Sequence, residues 1–171
     1  MKIIIAGDGE VGFYLAKLLE KEYQDITLID QQSDKLAFVE NDLGIATVLG
    51  DSTSYKVLNK ADVQNADLLI AVTSIESTNI TTCLIGKKLG AKFTIARINN
   101  MEYLVDKNVL DLCDLGIDEL ISPESLAARE VKYLLKSPVL TFRVDTIFLL
   151  LHPIMLDRKF TDLNDGRLVI R

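Results

Sequence analysis

The chain has 171 residues, 49% of them apolar and 6% aromatic, with a net charge of −6. That length supports one full domain with its own core. The acidic balance excludes a general nucleic-acid surface or an anionic-membrane surface.

Six short apolar runs recur along the chain, at 2–6, 26–29, 45–49, 68–72, 93–96 and 119–121, each of strand length. The first is followed at once by Gly7-Asp8-Gly9-Glu10-Val11-Gly12, a GxGxxG loop. After it, Val11, Leu15, Leu18 and Leu19 fall at i, i+4, i+7 and i+8, which predicts one face of a helix. Ala127, Val131, Leu134 and Leu135 repeat that spacing, and Ser122-Pro123-Glu124 is a helix start. Strands alternating with helices predict an α/β fold, a parallel sheet with helices on both faces. Right-handed crossovers favour the doubly wound, Rossmann-type order 3-2-1-4-5-6. Ser137-Pro138 ends the helical pattern. Residues 141–151 read as a strand and Asn164-Asp165-Gly166 as a turn. The expected organisation is a nucleotide-binding domain over 1–136, then a linker and short peripheral C-terminal extension over 137–171.

The loop carries the chemistry. A GxGxxG between a strand and a helix is the context in which the motif binds pyrophosphate. Gly7 permits the tight turn, Gly9 leaves room for the phosphates, and Gly12 lets the helix pack on the strand. The helix N-terminus supplies N–H groups and partial positive charge. Asp30, at the end of the second strand, is placed to accept hydrogen bonds from ribose hydroxyls, and its charge opposes a 2′-phosphate. NAD(H) is favoured over NADP; ATP and ADP carry the same ribose hydroxyls and stay open. Ligands in such folds sit outside the carboxyl ends of strands. Asp51 and Ser52 after the third strand, Thr73 and Ser74 after the fourth, and Arg97 at the fifth therefore join the candidate site. Helix capping or an exposed ion pair is the alternative role for each.

Other chemistries are thinly supported. Cys83 and Cys113 form no CxxC pair, and one histidine, His152, is too few for a His-based metal cluster. Both cysteines sit in apolar segments and read as buried small hydrophobes of a reducing cytosol. Tyr103-x-x-x-Lys107 formally matches a short-chain dehydrogenase pair, but no serine lies in the dozen residues upstream. Little chain is left for a substrate domain, so the expectation is a regulator, with no catalytic residue. The run at 3–6 stops far short of a signal-peptide core, and no stretch reaches the roughly 20 apolar residues of a membrane helix. The expectation is a cytoplasmic protein that meets a membrane only through a partner.

These motifs resemble the TrkA family, the regulatory subunits of bacterial Trk potassium uptake systems, whose nucleotide-binding part is called an RCK or KTN domain. The matching residues are Met1 to Gly12, Ile26-Thr27-Leu28-Ile29-Asp30, Gly50-Asp51-Ser52, and Ala66-Asp67-Leu68-Leu69-Ile70-Ala71-Val72-Thr73. Glu76, Asn79, Ala96-Arg97-Ile98 and Ile121-Ser122-Pro123-Glu124 fit as well. The resemblance covers roughly 1–136 and implies that Gly7 to Val11, Asp30, Thr73, Ser74 and Arg97 contact NAD. Related potassium-channel subunits that respond to ATP and ADP often carry Arg where Glu10 stands, which favours NAD(H). The resemblance further implies a membrane-embedded potassium transporter as partner, and homodimers that assemble into a ring. The C-terminal ligand-binding domain usual in that family is not in these 171 residues, which reads as a fragment or short form. Leu126 and Tyr133 lie off the apolar stripe of the last helix, which makes that helix the expected dimer contact.

Overall fold

A computed structural model describes residues 1–22, 25–105 and 112–136. They fall into two units, Met1–Ser122 and a second that begins at Pro123.

The first unit is an α/β sandwich. Strands β1 (Lys2–Ala6), β2 (Asp25–Asp30), β3 (Ala46–Leu49), β4 (Leu68–Ala71), β5 (Phe93–Arg97) and β6 (Glu119–Ile121) alternate with helices. The helices are α1 (Glu10–Leu19), α2 (Ser33–Leu43), α3 (Tyr55–Lys60), α4 (Glu76–Leu89) and α5 (Glu102–Val105). Among the described residues the sheet has six strands, all parallel, in the order β3-β2-β1-β4-β5-β6. The expected doubly wound topology is therefore present. The order reverses between β1 and β4, and a crevice opens there at the carboxyl ends of the strands.

Central parallel strands are covered on both faces, so they read as continuous apolar runs. Ile3, Ile4, Ile5 and Ala6 are all fully buried. Alternation then assigns each to a layer. Ile3 and Ile5 pack with Ile26, Leu28, Ile70 and Val72 beneath α1 and α2. Ile4 and Ile29 pack with Leu58 of α3 and with Val63 and Leu69 on the opposite face.

Helix α1 departs from its apolar spacing. Leu18, expected on the buried stripe, is 56% exposed, whereas Gly12 and Ala16 are the buried positions. The reason is steric. A Cβ on Gly12 would lie 1.8 Å from the Gly7 carbonyl oxygen, so the helix seats on its smallest residues. Gly7 is constrained too, with φ +107° and the Thr73 backbone nitrogen 2.8 Å from where its Cβ would be. A second correction concerns Cys113, which is exposed; Cys83 is buried as expected. The Cys83 thiol donates to the Ile95 carbonyl at 3.2 Å, and burial pushes its pKa up to about 12.

The second unit contributes α6 (Pro123–Lys136), which starts at the proline expected to open it. On it Ala127 is buried, Val131 is half-buried, and Leu126 and Tyr133 are 50% and 71% exposed. The strand expected at 141–151 and the turn at 164–166 lie outside the described residues.

Gly12→Ala should cost about 1–3 kcal/mol in urea unfolding, because backbone must move to admit one methyl group. Gly9→Ala should stay within about 0.5 kcal/mol, since a Cβ there meets no described atom within 4 Å.

Candidate functional site

The crevice holds an open cleft of about 210 Å³, lined by residues from the ends of β1, β2, β3 and β4 and the start of α4. Five residues expected at the site line it together: Gly7, Asp30, Ser52, Thr73 and Ser74. Ile29, Gln31, Gln32, Gly50, Ile75 and Thr78 complete the wall. Of these, Ile29 and Gly50 belong to motifs legible beforehand. Gln31 and Gln32 follow from position, directly after the end of β2, whereas Ile75 and Thr78, in the turn after β4 and the first turn of α4, are placed there by the fold.

Asp30 organises the β2 side. Its Oδ2 accepts the Asp8 N–H at 2.7 Å and its Oδ1 accepts the Gln32 N–H at 2.9 Å. A carboxylate has about four acceptor positions, so roughly two remain after these bonds. Among the described residues that line the cleft, Asp30 carries the one formal charge. An anion in this cleft would have backbone N–H groups and the α1 dipole to meet, and no lysine or arginine of the described wall.

The remaining loop residues take different roles. Gly9 precedes α1 with extended backbone (φ −78°, ψ −178°) and is exposed, as is Glu10. Val11 turns its side chain into the core beneath α1, leaving its backbone as what it can offer a ligand. Gly12 is buried against Gly7. Asp8 is 6% exposed, and its Oδ1 has no hydrogen-bond partner among the described residues. Burial first, and the neighbouring Asp30 carboxylate second, hold its pKa above the ordinary value of 3.8, with Lys35 partly opposing them.

The β3 side is fixed by side chains. Ser52 is buried, and its hydroxyl meets the Thr82 hydroxyl of α4 at 2.9 Å. Asp51 is exposed and lies off the cleft wall; its Oδ1 accepts the N–H and the hydroxyl of Thr53, both at 2.8 Å. Arg97 also lies off the wall. It ends β5, paired in register with Ile121, and its carbonyl accepts a bond from Asn79. Tyr103 packs against a core cluster that includes Ala71 and Ala96. Lys107 and His152 lie outside the described residues. Among the described residues no group of acidic, His or Cys side chains could hold a metal, and no helix is long and apolar enough to cross a membrane.

A six-stranded parallel sheet with a glycine loop at its switch point and an acid on its second strand defines the Rossmann-type class. Residues 3–123 match the TrkA-N domain, and the chain belongs to that family. It is 41% identical over 140 residues to the Trk system potassium uptake protein TrkA of Haemophilus influenzae, covering 81% of this chain and 31% of that protein. The chain thus spans about a third of the length of the curated relatives it matches. The TrkA-N domain of the Escherichia coli inner membrane protein ybaL shares the fold, with TM-score 0.68, 19% identity, and 79% and 96% of the two chains covered. GsuK bound to ADP superposes with TM-score 0.60 at 31% identity, covering 78% of this chain and 33% of that one. The GsuK channel bound to NAD gives 0.63 at 21%, covering 75% and 22%.

The state of Asp8 makes a signed prediction. A carboxyl whose pKa is raised on folding stabilises the fold below the unfolded value and loses that contribution as pH rises through the folded one. Ionised Asp8 is therefore a cost at neutral pH. Asp8→Asn should melt above the parent at pH 7, and the gain should vanish as the pH falls below 3.8. A gain that is independent of pH, measured by thermal melts from pH 3 to 7, contradicts this account.

Proposed function

We propose that this domain binds NAD(H) and is the nucleotide-sensing part of a regulatory subunit of a potassium uptake system. The observation that carries the reading is the cleft itself. It brings Gly7, Asp30, Ser52, Thr73 and Ser74 to one crevice, with Asp30 keeping acceptor capacity for two hydroxyls. Gly7 and Gly12 are accounted for by contacts within the chain, whereas Gly9 faces open space beside the α1 N-terminus. That is the room a pyrophosphate needs. The absence of a lysine or arginine among the described cleft-lining residues favours NADH over ATP, which brings more negative charge to the same N–H groups. ADP is the second reading, supported by the ADP complex of GsuK, and Asp30 does not separate the two.

On this reading the protein is a cytoplasmic regulator. The bound nucleotide biases packing between subunits, and a membrane-embedded potassium transporter responds. It needs no catalytic residue. The resemblance to Trk subunits and the exposed Leu126 and Tyr133 of α6 support a homodimer, with a ring as the higher assembly.

Calorimetry with NADH, ADP and ATP tests the nucleotide. Gly9→Val should abolish measurable NADH binding while leaving the fold intact; wild-type affinity in that variant removes the loop from the site. NADH should bind more tightly than NADPH by at least about 1 kcal/mol, the lower range for a charged group left without its hydrogen bond. Sedimentation at micromolar concentration should show a dimer, weakened by Leu126→Glu with Tyr133→Glu; a monomeric parent contradicts the assembly. NAD-dependent turnover of an alcohol or acid that is lost in Tyr103→Phe contradicts the regulatory reading.

A further inference from the structure

The β1–β4 ladder closes with the Val72 N–H donating to the Ala6 carbonyl at 2.8 Å. Beyond that bond the chain turns through residues 73–75 into α4, and a side chain takes over from the ladder. Asn79, 1% exposed, meets Thr73 three times. Its Oδ1 accepts the Thr73 N–H at 2.8 Å and the Thr73 hydroxyl at 2.7 Å, and its Nδ2 donates to the Thr73 carbonyl at 3.0 Å. The second Nδ2 hydrogen goes to the Arg97 carbonyl at the end of β5, also at 3.0 Å. An amide has two acceptor positions and two donors, and all four are engaged. Their partners also fix which way the amide points.

One turn earlier on α4, Glu76 Oε2 accepts the N–H groups of Asn99 and Asn100 at 2.5 and 2.7 Å. The first turn of α4 thus holds the end of β4 and the segment after β5 together. Thr73 is left with little to donate. Its hydroxyl proton lies between Asn79 Oδ1 and the Ile75 carbonyl, 3.1 Å away. What Thr73 presents to the cleft is therefore shape, and Asn79 sets that shape.

We infer that Asn79 is the positioning residue for the β4 side of the cleft, holding the 73–75 turn where the second half of a dinucleotide lies. The inference rests on the nucleotide reading above and adds a division of labour. A dinucleotide in a doubly wound sheet spans both sides of the switch point. The β2 and β3 side, with Asp30 and Ser52, meets the adenosine half, which ADP also has. The β4 side, with Thr73, Ser74, Ile75 and Thr78, meets the half that ADP lacks.

Calorimetry on the 171-residue chain with NADH and with ADP separates the two sides. Asn79→Ala should weaken NADH about tenfold, the scale of a lost buried hydrogen bond, and leave ADP within about threefold. Asn79→Asp keeps the acceptor oxygen toward Thr73 and replaces the donor; it should change the NADH-to-ADP ratio in the same direction. Equal losses for both ligands mean a merely structural role and overturn the inference, as does an unchanged NADH affinity. Hydrogen exchange on the parent gives a reading that does not depend on any variant folding. NADH should slow exchange of the Thr73, Asn99 and Asn100 amides beyond the slowing given by ADP, and equal protection overturns the inference. A parent that binds neither nucleotide overturns the nucleotide reading and this inference with it, whereas binding of both with equal losses overturns the inference alone.

Discussion

The contact on which the rest of the molecule depends is between two stretches of bare backbone. Helix α1 reaches the sheet because residue 12 has no side chain to hold it off the Gly7 carbonyl, and β1 turns into that helix because residue 7 has none to strike Thr73. Three segments meet at this point: the end of β1, the start of α1 and the end of β4. Their close approach puts the helix N-terminus at the reversal of strand order, where backbone dipoles converge on one crevice. A β-carbon at Gly12 would push the helix outward, and the N–H groups that open it would move with it; one at Gly7 would strike the Thr73 backbone and strain a left-handed φ. The geometry of the sheet and the chemistry of the site share this one constraint.

Legibility in the sequence followed how each element is buried. Strands β1, β2 and β4 were readable because burial on both faces leaves a continuous apolar run, and their order followed from handedness. The β1–β2 half of the cleft was readable because glycine spacing and a strand-ending acid have few other uses in combination. The buried face of α1 departs from its apolar spacing at Leu18, since periodicity weighs large apolar residues and this helix packs through Gly12 and Ala16. Helix α4 is harder still. Its buried positions are Asn79, Thr82, Cys83 and Gly86, which carry almost no hydrophobic pattern. Thr82 meets Ser52, thirty residues away, and Asn79 joins the nearby Thr73 to the distant Arg97 carbonyl. A polar residue matched to a backbone group far along the chain leaves no periodic trace. The β4 half of the cleft was legible in outline, through Thr73 and Ser74, and its support became visible only in three dimensions.

The electrostatic arrangement connects these halves to the charge of the whole chain. The protein is acidic overall, and Asp30 is the one charged side chain among the described residues that line the cleft, with the buried Asp8 carboxylate behind it. An anion entering would meet one carboxylate, that of Asp30, and no lysine or arginine on the described wall, so attraction would come from the N–H groups that open α1. Those groups act at short range, within about one helical turn. On the proposed nucleotide reading, such a site would discriminate by shape and by ribose hydroxyls more than by total charge. A ligand with dense terminal charge gains little from distant dipoles and is opposed by the acidic surroundings. A dinucleotide, whose charge is confined to the central pyrophosphate, places that charge where the N–H groups are and extends uncharged or weakly charged portions along the two flanks. The polar scaffolding of α4 has its place in this scheme. Side-chain amides and hydroxyls shape the β4 flank without adding charge, so the crevice can be lengthened toward a second nucleotide half while its central dipole field is left undisturbed.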